Sequence, residues 1–316
     1  MRFAGVLLVL IACPHPDARA AEEWRASLAG IQSMAAEGRL AEARKALLDE
    51  VKDAERAGRG ERLAATLNNL GSATQDMGFC GEAASAYRRS LAIWERIGQP
   101  RAAIRTAANL TGLLLMCQDV REARRVGERN VLPHIPALQD DDPDAALLLV
   151  VAAHLHRERK QYAAAEPLLR RALRLRGPDA SILNALALVR ACVGDYEGAI
   201  ADTQRALQLL ERPGGPAHPH AVRLLGNLGS FYASAYNLTK AEEFYQKALT
   251  AAETTHGPGS FQAAEILANY AALLRTANRR AEAAETARRA RAIYEQATRD
   301  NRRYTVDVDE LQASRR

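Results

Sequence analysis

LLGNLGSFYASAYNLTKAEEFYQKAL, running from Leu224 to Leu249, carries two helical stripes in succession. Leu225, Leu228, Gly229 and Tyr232 fall at i, i+3, i+4 and i+7, which is one face of a first helix. Leu238, Ala241, Tyr245 and Ala248 share one face of a second. A small residue at Gly229 facing another at Ala241 lets the two backbones approach closely. The stretch therefore describes a helical hairpin. One such hairpin cannot bury its own apolar face, so it needs neighbours of the same kind.

The sequence supplies them. The phrase GDYEGAIADTQRAL from Gly194 matches GFCGEAASAYRRSL from Gly78, KQYAAAEPLLRRAL from Lys160 and YNLTKAEEFYQKAL from Tyr236. Weaker matches begin at Gly38, Gln118 and Asn278. One alanine stays in register through all of them, at Ala43, Ala83, Ala123, Ala165, Ala199, Ala241 and Ala283, with steps of 40, 40, 42, 34, 42 and 42 residues. Seven copies of one small residue define a repeat array. The close pair recurs as Gly71 with Ala83 and Ala187 with Ala199. The 34-residue step predicts a shorter second helix at that point, and the longer steps predict second helices extended by about two turns or longer loops. Pro100, Pro133, Pro136, Pro143, Pro178, Pro213, Pro216, Pro219 and Pro258 fall between copies, where helices must stop. Pro167 is the exception and is expected in the first turn of its helix, where a missing N–H costs little.

The Leu–Gly–Tyr then Ala–Tyr–Ala pattern of LLGNLGSFY and AEEFYQKAL resembles the tetratricopeptide repeat. The 42-residue step, the phrase AEPLLRRAL and the turn GPAHPHAV resemble its kinesin-light-chain type. The resemblance runs from about residue 24 to 297; it is sharpest at 64–94 and 222–250 and weaker at both ends and at 104–131. Copy one carries Ser27 and Ile31 at the Leu and Gly positions, as an atypical capping repeat does. The resemblance implies an all-α, right-handed superhelical solenoid of seven helix-turn-helix repeats over residues 22–298, followed by a polar tail at 299–316.

The first twenty residues, MRFAGVLLVLIACPHPDARA, have one early positive charge, an apolar core from Phe3 to Ala12 and small residues at Ala18 and Ala20. That is the layout of a secretory signal cut after Ala20, with an apolar core too short to span a bilayer. Leu10-Ile11-Ala12-Cys13 also resembles a lipobox, in which an acylated Cys13 would anchor the mature chain to lipid. Either reading exports the protein, to the periplasm or beyond. Loss of Arg2, Arg19 and Asp17 moves the formal charge from +5 to +4, too small an excess over so long a chain for a nucleic-acid partner. Cys80, Cys117 and Cys192 have no zinc spacing. Each falls in an expected helix and reads as a buried small apolar residue, with one disulfide and a free thiol as the alternative.

The resemblance implies that the first helices line a concave groove. The side chains expected on it are Asn69, Arg105, Asn109, His154, Arg157, Asn184, Arg223, Asn227, Asn269 and Arg275. Asn69, Asn109, Asn227 and Asn269 occupy one repeat position, while Asn68 lies at the edge with a counterpart only in Asn184. A carboxamide both donates and accepts, so amides one repeat apart can hold an extended peptide backbone. The resemblance implies that use. The arginines would favour acidic side chains or a terminal carboxylate. The competing use of the asparagines is hydrogen bonding within the repeat, and of the arginines a solvated face.

His154 and His156 stand two apart and point to different faces, which does not suit a shared metal ion. His218, His220 and His256 belong to the turns, and GPGS at 257–260 lacks the lysine of a phosphate loop. The expected function is a non-catalytic scaffold for another protein or peptide, without cofactor, metal, nucleic acid or integral membrane span. Two alternatives stand beside it: an accessory subunit of an enzyme complex, and a structural or oligomerising envelope protein that uses the apolar patch Leu113–Met116.

Overall fold

The computed structural model describes residues 18–37, 39–210 and 219–304. Residues 1–17, with most of the expected signal and Cys13, lie outside that range, as do Gly38, Pro213, Pro216, His218 and the end of the polar tail. Among the described residues the regular structure is fourteen α-helices and one 3₁₀ turn, with no strand. The molecule is an all-α helical-repeat solenoid.

Two compact units divide the chain, Met1–Leu175 and Arg176–Arg316. The first contains α1 (Ala18–Ala36), α2 (Leu40–Arg56), α3 (Gly60–Asp76), α4 (Cys80–Arg96), α5 (Pro100–Met116), α6 (Val120–Asn130), α7 (Ala145–Glu158) and α8 (Tyr162–Arg176). The second contains α9 (Ala180–Cys192), α10 (Tyr196–Leu210), α11 (Pro219–Ser234), α12 (Leu238–His256), α13 (Phe261–Thr276) and α14 (Arg280–Tyr304). These are seven helix pairs, one for each alanine in register. Cleavage after Ala20 would fall in the first turn of α1, and α14 continues past residue 298 to Tyr304.

The second to seventh pairs are closed by the same turn. The first helix ends at a residue in the left-handed region: Gly78, Gln118, Lys160, Gly194, Tyr236 or Asn278. The next N–H then reaches back five residues, as from Phe79 to the Thr74 carbonyl at 2.9 Å and from Asn237 to that of Tyr232 at 2.9 Å. That double reversal satisfies the end carbonyls and aims the chain back along the first helix. Asp119 and Asn237 then cap the second helices α6 and α12 through the N–H of Glu122 and of Lys240.

The register alanines are the tightest points of the pairs. Ala43, Ala83, Ala123, Ala165, Ala199 and Ala241 are fully buried and Ala283 is 2% exposed. The space left by glycine is filled more specifically than two small residues in contact would require. A Cβ at Gly71 would meet the Tyr87 ring at 2.8 Å, and one at Gly229 the Tyr245 ring at 2.7 Å. In the third pair the sizes are exchanged: Thr111 stands at the place of Gly71, and Gly127 at the place of Tyr87. A Cβ on Gly127 would sit 3.1 Å from the Thr111 methyl and closer still to Leu155. Close packing is met pair by pair, by matching a large residue to a small one.

Helix lengths, Pro167 and the apolar patch bear on the expectations. The fourth pair's second helix, α8, has 15 residues against 17 in α4 and 19 in α12, in keeping with the short step. The shortest second helix is α6, with 11 residues, and its copy keeps a 42-residue step through a long connection across Leu132–His134 to Asp144. Pro167 is not in a first turn. Because α8 starts at Tyr162, Pro167 stands in its second turn, and both Pro167 and Ala163, whose carbonyl loses its helical partner, face solvent. Of the apolar patch, Leu113 and Leu114 are buried in the core of the first unit, Leu115 is half-buried, and Met116 is exposed.

Cys80 and Cys117 are joined in a disulfide, and Cys192 is an exposed free thiol. The expectation of three buried small residues gives way here. Cys80 opens α4 and Cys117 caps the end of α5, so two hairpin turns of adjacent repeats bring the sulfurs together. Ion pairs link successive second helices: Arg44 with Glu82 at 2.9 Å, Arg89 with Glu55 at 2.6 Å, and Arg88 with Glu122 at 2.5 Å in the first unit. Arg289 with Glu253 does the same in the second.

Candidate functional site

The first helices carry the polar residues expected to meet a ligand, and their side chains follow one rule of register. An asparagine fifteen residues before the register alanine accepts from one fourteen residues before the next register alanine. Asn109 Nδ2 donates to Asn68 Oδ1 at 3.1 Å, between α3 and α5. Asn227 Nδ2 donates to Asn184 Oδ1 at 2.6 Å, between α9 and α11. Thr106 Oγ1 adds a second bond to Asn68 Oδ1 at 3.3 Å. A carboxamide presented by one first helix is thus gripped by the next.

The same rule accounts for the asparagines that are not in these pairs. Asn69 has Leu28 one repeat before Asn68's place; it is 2% exposed, and its Nδ2 is buried without a hydrogen-bond partner. Asn269 has Gly226 at the corresponding place, and its side chain is exposed. The four asparagines of one sequence position therefore sit in three environments: buried at Asn69, half-buried and bonded at Asn109 and Asn227, exposed at Asn269. Asn184 is 7% exposed.

The cationic residues divide between the units. In the first, Arg105 Nε lies 2.8 Å from Asp144 Oδ1, and Arg157 lies 2.8 Å from Glu158. His154 is half-buried on α7. In the second, Arg190 of α9 is held by Asp202 at 2.8 Å. Arg223 of α11 and Arg275 of α13 are exposed, and among the described residues neither has an ion pair. Desolvation pushes the Arg223 guanidinium below its ordinary value, opposed by the charge of Glu265 on α13. Arg223, Asn227, Asn269 and Arg275 thus mark the first-helix surface of the second unit. In the first unit, the expected arginines Arg105 and Arg157 are already ion-paired.

Sequence reasoning placed Asn68 at an edge and so missed its role as the acceptor for both Thr106 and Asn109. The signal was present in the Asn68-Asn69 doublet, whose two amides face different neighbours. Among the described residues no group of three or more His, Cys, Asp or Glu is placed to hold a metal ion. No helix among them is long and apolar enough to cross a membrane.

Helix pairs of constant design, closed by one turn type and stacked through first-helix and second-helix contacts, define a helical-repeat protein. The family model for the tetratricopeptide repeat matches residues 220–296, and a second tetratricopeptide-repeat model matches 63–97 and 148–177. Those segments are tetratricopeptide repeats, set in an all-α helical-repeat chain. No curated protein matches it significantly. Among solved structures it is similar to BtubC (BKLC) from P. vanneervenii, at 20% identity over 69% of this chain and 92% of that one, with a TM-score of 0.52. It is similar to the APC/C hetero-tetramer Cut9–Hcn1, at 16% identity over 83% of this chain and 45% of that one, with a TM-score of 0.59. The quorum sensor NprR from B. thuringiensis gives 13% identity over 86% and 76%, with a TM-score of 0.59. These likenesses are of fold.

Proposed function

We propose that this protein is an exported, non-catalytic scaffold that binds a polypeptide segment of a partner across the first-helix surface of its second unit. The observation that carries the reading is the contrast among arginines. Arg105, Arg157 and Arg190 are each ion-paired with a carboxylate of the chain, whereas Arg223, which feels the charge of Glu265 without an ion pair to it, and Arg275 stand exposed beside exposed Asn269, with no ion pair among the described residues. A guanidinium presents a fork of donors suited to a carboxylate, and Asn269 offers both a donor and an acceptor to a main chain. An acidic segment or a chain terminus fits that set. Asn227 contributes the valences left after its bond to Asn184.

The Cys80–Cys117 disulfide supports export, since disulfides persist in oxidising compartments. Intact-mass measurement of the mature chain tests this part. A product beginning at Ala21, or at an acylated Cys13, fits; a chain retained inside the cell with Met1 in place contradicts it. The binding surface is tested by placing a photo-crosslinking residue at Asn269 in the producing cell, with one at exposed Arg291 on α14 as control. A discrete adduct at 269 that is missing at 291 is expected. Equal labelling at both positions, or adducts confined to 291, would instead favour an oligomerising surface made of second helices.

A further inference from the structure

On α1 and α3, four buried polar atoms have no hydrogen-bond partner: Trp24 Nε1, Arg62 Nε, Thr66 Oγ1 and Asn69 Nδ2. Thr66 is 0% exposed and Asn69 2%. Arg62, Thr66 and Asn69 follow one another at i, i+4 and i+7, so they share one face of α3. Forty residues on, the same two residue types make a complete site, with Thr106 and Asn109 both donating to Asn68 Oδ1. Thr66 and Asn69 are the same pair of donors in the same register. The residue one repeat before Asn68 is Leu28, fully buried in the core of the first unit. A hydrocarbon accepts no hydrogen bond, and a buried donor without an acceptor is destabilising.

We infer that the Thr66–Asn69 face of α3 is a docking site for an amphipathic helix of a partner protein that presents an Asn or Gln carboxamide at the place of Leu28. By repeat register α1 stands to α3 as α3 stands to α5, with Leu28 at the place of Asn68. The choice of a helix-borne carboxamide rests on two precedents within the chain, Asn68 presented to α5 and Asn184 presented to α11. A carboxylate fits less well, because Arg62 is already engaged by Glu50 at 2.6 Å, and Glu50 also accepts from Ser27 of α1 at 2.8 Å. The inference rests on the reading of the protein as a binder of polypeptide. It adds a second site, on the first unit, separate from the arginines of the second.

Hydrogen exchange of the full chain, followed by mass spectrometry, tests it. The probes are synthetic peptides of residues 22–37, one with the natural Leu28 and one carrying Leu28→Asn. The Asn peptide is expected to speed exchange of α1 at least tenfold while the Leu peptide at the same concentration does not. In the intact chain, L28N should slow exchange of α1 at least tenfold and abolish the effect of the Asn peptide. The double variant T66V/N69L keeps the test sound if L28N folds poorly: removing the donors should also slow exchange of α1 and remove discrimination between the peptides. Peptides that act alike, or an L28N chain whose α1 exchanges as fast as before, overturn the proposal. Binding of acidic peptide to the second unit is scored separately with R223E/R275E, so either reading can fail without the other.

Discussion

Gly71 and Gly112 look alike in sequence, since each is a glycine inside a first helix, yet they behave oppositely in the fold. A Cβ at Gly71 runs into the Tyr87 ring at 2.8 Å, whereas a Cβ at Gly112 meets nothing within 4 Å. Glycine in a helix interior costs about 0.5–1 kcal/mol relative to alanine, and overpacking costs about 1–3 kcal/mol. Gly112→Ala is therefore expected to raise the thermal midpoint of the first unit, and Gly71→Ala to lower it. The pairing of sizes supplies a rescue: Ala153 and Leu169 occupy these two places in the fourth pair. The double variant G71A/Y87L should recover part of the loss, which a double-mutant cycle by calorimetry reads directly. The paired amides give a second contrast. Asn184→Ala removes a buried acceptor from Asn227 and should destabilise by about 1–3 kcal/mol. Asn269→Ala, at an exposed site with better helix propensity, should be neutral or slightly stabilising. The repeat position shared by Asn69, Asn109, Asn227 and Asn269 was legible in the sequence. Their separate environments were not, because each is decided by a residue one repeat back: Leu28, Asn68, Asn184 or Gly226.

At the scale of elements, the hairpins were readable because one alanine must be small for two helices to close, and that demand repeats seven times. Lengths were less readable. The sequence step between register alanines adds helix to loop, so α6 with its long connection and α12 with its long helix give the same step. The disulfide was missed for a related reason: Cys80 and Cys117 are 37 residues apart, close to one repeat, and only the turns of adjacent hairpins make that separation a contact. A closed loop of that length stabilises by about 3–4 kcal/mol in the chain-entropy view. C80S/C117S, or a reductant, should lower the unfolding midpoint of the first unit and leave that of the second unchanged. Urea titrations with probes in each unit would show it. The inter-helix ion pairs predict an acid limit. Arg88 holds the Glu122 carboxylate below its ordinary range against the opposing effect of burial. The Tyr270 hydroxyl, and then Arg279, do so for Glu242. A carboxylate depressed in the folded state stabilises fully above its unfolded value, about 4.3 for glutamate, and loses that contribution as pH falls through it toward the folded value. Stability should thus be flat between about pH 5 and 7 in this respect and fall below about 4.5. E122Q and E242Q should flatten that fall.

For the whole molecule, the helical-repeat fold was legible along most of the chain, while the environments of the first-helix side chains were not. Repeat grammar fixes which side chains must be buried, and it leaves the solvent-facing positions of the first helices free to vary. On that side the decisive information is which charges the chain itself neutralises, a property of tertiary neighbours such as Asp144 and Asp202 that lie beyond the reach of local pattern. The proposed function requires that Arg223 and Arg275 be left for a partner's carboxylates. Selection of a displayed random-peptide library on the mature protein, run in parallel on R223E/R275E, tests this most directly. Acidic or carboxy-terminal sequences are expected, binding the natural chain at least tenfold more tightly than the variant, with the thermal midpoint unchanged. Selected peptides that lack acidic character, or that bind both proteins equally, would contradict it.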